Sequence, residues 1–320
     1  MSPLEKKRQM GRYYTEGNPF LLEPFQAWAK RNRLIKSTVL EPFAGQNDLI
    51  RALREVGIAF QSKSFDIEPH DSEVEYRDTL SDFPAGFEFC VTNPPWLAKN
   101  SAKRRGLPFP DTAFDDLYKY ALDLCLSQCP FVAALIPATF LKSDSFRHRL
   151  DTVMFLHDQR MFADTENPVC LALFSRNGGR IQIFNDDVSV GFLDELKQRL
   201  PDRAPEHVHL TFNAPEGDLG LIAFDDTYRP SIRFVKGREL SDYSIGFTSR
   251  MITRIHGDFK NLNVLITDLN KDLWAFREAT KDVFLTPFKG LRKDGQYRRR
   301  IDYRLARDFI AKHVNSNTKF

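Results

Sequence analysis

A chain of 320 residues, 42% hydrophobic and 28% charged, has enough apolar material for two folded domains and too much for a disordered protein. Its net charge is +3, no apolar run approaches a membrane span, and Glu5, Lys6, Lys7 and Arg8 stand where an export signal needs an apolar stretch, so a cytoplasmic protein is expected. Cys90, Cys125, Cys129 and Cys170 form no Cys-x-x-Cys pair and have no His at ligand spacing, so neither a metal site nor a disulfide is expected.

The chain opens with Gly11-Arg12-Tyr13-Tyr14-Thr15, followed by a stretch of helical character that runs through Trp28-Ala29. Ser37 to Asp48 then reads as a short buried strand that ends in Glu41, and a turn through Pro42-Phe43-Ala44-Gly45. Leu49 to Arg54 has helical periodicity, which makes this a first βα unit, with Gly45 letting backbone come close to a ligand. One glycine is too few for the Gly-x-Gly-x-x-Gly turn of dinucleotide folds, so NAD and FAD are disfavoured. A second strand, Phe60 to Phe65, leads into Asp66-Ile67-Glu68-Pro69, about 20 positions beyond the glycine turn, where a carboxylate grips a ribose diol. Asp78 follows, ahead of the strand at Phe89. Singly, each carboxylate is more commonly a surface residue; three in order, each after a strand, are a less common accident.

Phe89 to Trp96 is the stretch around which the rest is organised. Residues favouring extended backbone stop at Asn93-Pro94-Pro95-Trp96, where proline fixes its own φ and keeps Asn93 out of the helical region. Asn93 is therefore expected beyond a strand's carboxyl end, the ligand-binding edge of an open α/β sheet. Its carboxamide oxygen and the Pro94 carbonyl are two acceptors beside an aromatic plate, suited to a planar ring with an exocyclic amine. An isolated Asn-Pro-Pro is only a strand-ending turn; the preceding carboxylates are what favour the functional reading. Leu97 to Gly106 reads as a polar, basic loop carrying Lys99, Lys103, Arg104 and Arg105, of the kind that orders on phosphate. Beyond it lie a helix from Leu117 to Cys129, and strands at Phe131–Pro137, Val153–Leu156 and Val169–Phe174. Asn177-Gly178-Gly179 breaks the pattern, which divides the chain into domains 1–178 and 179–320.

The second half carries no recognisable motif, but its charge is uneven. Residues 251–320 hold 15 Lys/Arg against 8 Asp/Glu, leaving the preceding 250 residues at −4. A basic tail on an acidic body points to a polyanionic partner, although a solvated basic face has the same composition. Lys289, Arg292, Arg298, Arg299 and Arg300, interleaved with Phe284, Phe288 and Tyr297, are the candidate contacts, with Thr286 to Arg292 expected as a turn facing that polyanion.

With these pieces in order, residues 11–176 resemble the N6-adenine DNA methyltransferases of bacterial restriction–modification systems. The resemblance is to their gamma class, in which cofactor motifs precede the catalytic motif and target recognition is C-terminal. It implies a Rossmann-like α/β catalytic domain with a mixed, mostly parallel sheet and helices on both faces, followed by an α+β target-recognition domain. It also implies S-adenosylmethionine as cofactor. Tyr13, Tyr14 and Thr15 match the N-terminal cofactor motif, with Glu16 where Pro is usual. Glu41, Pro42, Phe43, Ala44 and Gly45 match the Asp/Glu-Pro-x-x-Gly motif, with Gln46 or Asn47 replacing its second glycine. Asp66 and Ile67 match the ribose-binding motif and Asp78 the position contacting the cofactor's adenine. Asn93, Pro94, Pro95 and Trp96 match the catalytic motif, Asn93 also bordering the cofactor, and Phe162 resembles the aromatic that braces a flipped base. The implied partner is double-stranded DNA, with room for a cognate restriction endonuclease acting separately, and no membrane or metal. Rival readings are an RNA adenine-N6 methyltransferase, a protein glutamine methyltransferase, and a DNA-binding protein keeping an inactive methylase fold.

Overall fold

Short apolar runs without polar alternation are what strands buried on both faces of a parallel sheet require. In the computed structural model, which describes residues 17–157, 161 and 167–316, these runs form the middle of one sheet. β1 (Val39–Glu41), β2 (Ser62–Asp66), β3 (Val74–Tyr76), β4 (Phe89–Thr92) and β5 (Phe131–Pro137) run parallel, in the order β3-β2-β1-β4-β5. Next to β5 lies β7 (Val169–Phe174), antiparallel both to it and to its outer neighbour β6 (Leu150–Phe155). β8 (Gln182–Asn185) and β9 (Val188–Phe192) complete nine strands. The sheet is mixed and mostly parallel, as the sequence leads one to expect.

Helices α1 (Glu23–Arg31), α2 (Asp48–Glu55), α3 (Lys99–Arg105) and α4 (Leu117–Gln128) belong to this unit. Successive strand residues point to opposite faces, and β4 shows what covers each. Phe89 and Val91 share a buried cluster with Phe25 and Trp28 of α1 and Leu49, Ile50 and Leu53 of α2, whereas Cys90 meets Cys125 of α4 and Cys129 at its end. The thiols are buried and reduced.

The first unit ends at Leu193, not at the glycine pair. Asn177-Gly178-Gly179 is a turn inside it. Gly178 has φ of +62°, and a Cβ there would collide with the carbonyl of His148, so the break marks close backbone approach. The hairpin of β8 and β9 then joins the sheet through β6. Its turn also serves α1: Asp187 Oδ1 accepts from the amide of Glu23 at 2.7 Å, an N-terminal donor that the preceding Leu22 cannot satisfy.

Residues 194–320 form the second unit, entered through α5 (Leu193–Lys197). Its architecture is α+β. β10 (Thr211–Phe212), β11 (Leu219–Ile222), β12 (Arg233–Lys236) and β13 (Ile252–His256) make an antiparallel sheet in the order β10-β13-β11-β12. The long helix α6 (Leu262–Thr280) packs on it; its Asn270 side chain exchanges two 2.8 Å bonds with the backbone of Phe234 on edge strand β12. A hairpin of β14 (Thr286–Leu291) and β15 (Tyr297–Arg300) precedes α7 (Tyr303–Ser316).

Two elements differ from expectation. The basic segment after Trp96 is a helix, α3, and not a loop. Lys-Asn-Ser-Ala-Lys-Arg-Arg has no helix breaker, and Gly106 ends it in the left-handed conformation, with the amide of Leu107 donating to the Ala102 carbonyl at 3.0 Å. Thr286 to Leu291 is a strand, not a turn, kinked where Gly290 takes φ of +87°.

Candidate functional site

Between β1 and β4 the chain reverses its direction of travel across the sheet, which leaves a crevice beyond their carboxyl ends. A cavity of about 630 Å³ lies there, within the size range of small-molecule sites. Into it converge Glu41 at the end of β1 with Phe43, Ala44 and Gly45 after it, Asp66 at the end of β2 with Ile67 after it, Asp78, and Asn93 and Pro95 after β4. Carboxylates from separate turns and the Asn of the Asn-Pro-Pro turn thus line one space.

The turns are tied to one another. Asp66 holds two backbone amides, Gly45 at 2.9 Å on Oδ2 and Glu68 at 2.8 Å on Oδ1, while Gly45 returns its carbonyl to the amide of His70. The Thr79 hydroxyl donates to the Pro42 carbonyl at 2.6 Å, fastening the Asp78 turn to the β1 turn. Pro42 itself is buried and does not line the cavity, so it braces the wall. Asp78 accepts from the Leu80 amide at 3.2 Å and the Ser81 hydroxyl at 2.8 Å.

The missing second glycine has a structural answer. Gly45 has φ of +52° and Asn47 of +64°, so the turn needs the left-handed region twice, and Asn supplies the second. The Asn47 side chain is buried, with its Oδ1 receiving the Ser64 hydroxyl at 2.8 Å.

Glu41 is the most unusual group in the site. It is 1% exposed, and Oε2 accepts no hydrogen bond from the described residues. Burial, with Asp48 and Asp66 nearby, pushes its pKa well above the ordinary carboxylate value; the amide of Ile50, in the first turn of α2, opposes this. An orphaned buried acceptor opening on a cavity fits a cationic donor.

Asn93 is half-buried and Pro94 buried, followed by Pro95 on the cavity wall. Trp96 is not a wall residue. It packs, partly buried, against the core cluster that includes Trp28 and Phe89. This packing fastens the end of the turn to the core. The aromatic walls are Phe43, Phe109 and Tyr120. Sequence reasoning missed the last two, although Pro108-Phe109-Pro110 holds an aromatic between two rigid residues and was a readable signal. Tyr120 donates to the Leu80 carbonyl at 3.3 Å. Near the helix start, Asp116 caps α4 through the Tyr118 amide, and burial pushes its pKa up to about 6.

Of the α3 cations, Lys103, Arg104 and Arg105 are exposed. Lys99, also exposed, donates to the Thr112 carbonyl at 3.0 Å, with its Nζ 5.8 Å from the Phe109 ring centre, so it holds the segment that carries this cavity wall.

In the second unit the expected DNA contacts separate into two classes. Arg292 and Arg299 are 7% and 2% exposed and belong to a buried ion cluster, so their assignment to a DNA-facing surface is corrected. Asp225, wholly buried, accepts from Arg277 Nη1 and Nη2 at 2.8 Å and from Arg292 Nη1 at 2.9 Å. Burial pushes Asp225 up, but these guanidinium bonds outweigh it and hold its pKa below the ordinary value. Burial lowers the Arg299 pKa to about 10. Lys289 is exposed and Arg298 and Arg300 half-buried, on the outward side of the hairpin. Tyr13, Tyr14, Thr15 and Phe162 lie outside the described residues.

No protein-family model and no curated protein sequence matches the chain. Among solved structures it is similar to a type I restriction–modification methyltransferase subunit from Streptococcus thermophilus, at 15% identity and a TM-score of 0.39, over 58% of this chain and 52% of that one. It is also similar to the type IIG restriction endonuclease BpuSI, at 16% identity and 0.38, over 55% of this chain and 27% of that one. A third, the type IIL restriction–modification enzyme MmeI in complex with DNA, has 13% identity and 0.41, over 88% of this chain and 55% of that one. The chain spans less than two thirds of each of these proteins. Among the described residues no helix is long and apolar enough to cross a membrane, and no cluster of metal-ligating side chains is present.

Proposed function

We propose that this chain is an S-adenosylmethionine-dependent DNA methyltransferase that modifies N6 of an adenine swung out of the duplex, within a restriction–modification system. The observation that carries the reading is that Asn93 and Pro95 open into the same cavity as Glu41, Asp66 and Asp78. The donor set suits the cofactor: Glu41 Oε2 for the ammonium of its methionine end, Asp66 for ribose hydroxyls, and Asp78 with the nearby apolar wall for the adenine. When bound, that cofactor supplies a methyl group on a positively charged sulfur. Asn93 Oδ1 and the Pro94 carbonyl accept from the two N6 hydrogens of the substrate, which localises the lone pair on nitrogen and aims it. The transfer would form the nitrogen–methyl bond as the cofactor's sulfur–methyl bond breaks, and one N6 proton would leave to solvent. No covalent enzyme intermediate is needed, and the acceleration comes from positioning and preorganised dipoles. Extruding the base costs a few kcal/mol of stacking and pairing. Trp96 serves by fixing the turn, and the exposed cations of α3 with Lys289, Arg298 and Arg300 contact DNA.

The test is transfer of labelled methyl groups to duplex DNA, single-stranded DNA and structured RNA by the full chain and by Asn93→Ala. Duplex labelling is expected from the wild type. The variant should lose it while keeping cofactor affinity within a few-fold. Labelling of RNA alone would replace the substrate, and full activity of Asn93→Ala would remove Asn93 from the chemistry.

A further inference from the structure

Strand β15 alternates cleanly: Tyr297 and Arg299 are buried, while Arg298 and Arg300 are half-exposed. Arg298 differs from the other outward cations in how firmly it is held. Its Nε donates to the Asp225 carbonyl at 2.9 Å, which fixes the plane of the guanidinium. Its terminal carbon lies 4.8 Å from the centre of the Phe288 ring and 5.6 Å from that of Phe224. Its Cδ passes over Gly290 on the facing strand, 3.8 Å from where a Cβ would stand. The support is itself rigid. The side chain of Asp225 is locked by Arg277 and Arg292, and its backbone amide donates to the Arg299 carbonyl at 2.9 Å. Nη1 and Nη2 make no hydrogen bond to any described residue. What remains is a planar fork of terminal N–H groups, fixed in direction before any ligand arrives.

We infer that Arg298 reads a guanine in the recognition sequence. The inference rests on the proposed action on duplex DNA and adds a specificity-determining residue to it. Phosphate attraction needs only positive charge near the backbone, which flexible surface cations supply. A guanidinium fixed in plane gains most where two acceptors must be met at set spacing, as with O6 and N7 of guanine in the major groove. Holding the side chain in advance removes rotamer entropy that binding would otherwise lose.

The experiment determines the methylated motif of the full chain. DNA of random sequence is methylated with S-adenosylmethionine, and modified adenines are located by single-molecule sequencing. The comparison set is Arg298→Ala, Arg298→Met, which keeps an apolar stem between the rings, and Arg298→Lys; melting temperatures check folding. The wild-type motif should contain a required guanine. Each variant should relax preference at that one base pair by roughly ten- to a hundredfold, leaving the other positions unchanged. A loss of packing alone would lower methylation at every site equally. An unchanged motif, a uniform loss with a shallower salt dependence (a phosphate contact), or a wild-type motif without guanine would each overturn the assignment. A wild type that methylates no DNA would overturn the underlying reading as well, and the two failures are thereby distinguished.

Discussion

Replacing Glu41 by Gln separates what this buried carboxylate costs the protein from what it gives the ligand. In the ligand-free chain, burial first, then Asp48 and Asp66, push its pKa well above the ordinary 4.5. A carboxyl whose folded pKa is raised takes up a proton on folding, so stability falls as pH rises from about 4.5 through the folded value, and the penalty persists above it. Gln is neutral throughout. Ligand-free Glu41→Gln should therefore melt above the wild type at neutral and alkaline pH, with the difference vanishing in acid below the unfolded value. An ammonium on Oε2 reverses the balance. A hydrogen bond to a charged group contributes about 1.5–3 kcal/mol, and each 1.4 kcal/mol is about tenfold in affinity. Calorimetry at pH 7.5 should find S-adenosylmethionine and S-adenosylhomocysteine bound roughly ten- to a hundredfold more weakly by the variant. 5′-Methylthioadenosine, which keeps the nucleoside and lacks the ammonium, should bind both proteins alike. Equal losses for all three ligands, or none for any, would refute the pairing of Glu41 with the ammonium.

The other predictions use the same coupling of site to scaffold. Asp66→Ala should weaken cofactor binding roughly ten- to a hundredfold and also lower the ligand-free melting temperature, because Gly45 and Glu68 lose the oxygens that hold their amides. Asp66→Asn, keeping one acceptor, should restore part of the melting temperature. Asp225→Ala takes one shared carboxylate from buried Arg277 and Arg292, which keep Asp282 and Asp294, and should cost about 1.5–3 kcal/mol, read by urea unfolding. Since its folded pKa is depressed, Asp225 contributes stability above the unfolded value near 3.9, and this is lost as pH falls through the folded value. The variant should show no such loss. Replacing Lys103, Arg104 and Arg105 together with Ala should flatten the log–log salt dependence of DNA binding by up to about 0.9 per lost phosphate contact. Arg299→Ala, buried in the ion cluster, should lower the melting temperature and leave that slope unchanged.

The first unit was legible because its candidate site sits on backbone turns that announce themselves. Asn93 could be assigned beyond a strand because two prolines forbid helix there, Glu41 because it ends an apolar run, and Asp66 by its spacing from the Gly45 turn. Strands β5 and β7 were readable to the residue, being apolar runs bounded by Pro or Ser. Side-chain direction was not readable: Arg299 turns inward between two outward arginines. Trp96 follows the motif as a stacking residue would and also packs, partly buried, against the core. Asn177-Gly178-Gly179 has the composition of a linker, but Gly178 answers to the crowding of His148 in a sheet that continues for two more strands.

The basic half shows why a charge count cannot locate a surface. Arg298, Arg299 and Arg300 are consecutive, yet strand alternation sends Arg299 inward and its neighbours outward. Two carboxylates stand near the inward charge: Asp282, the stronger influence on the guanidinium, and Asp225, 74 positions earlier, whose Oδ2 receives the Arg299 backbone amide at 3.2 Å. No local pattern in the sequence encodes that meeting. Part of the surplus of cations in residues 251–320 is thus taken up by a carboxylate from before that stretch, which leaves fewer charges for a polyanion than the count implies. The same carboxylate residue turns its carbonyl to Arg298. One residue therefore links the burial of two arginines with the orientation of a third, so the stability of this unit and any base preference it has should change together in Asp225 variants and separately in Arg298 variants.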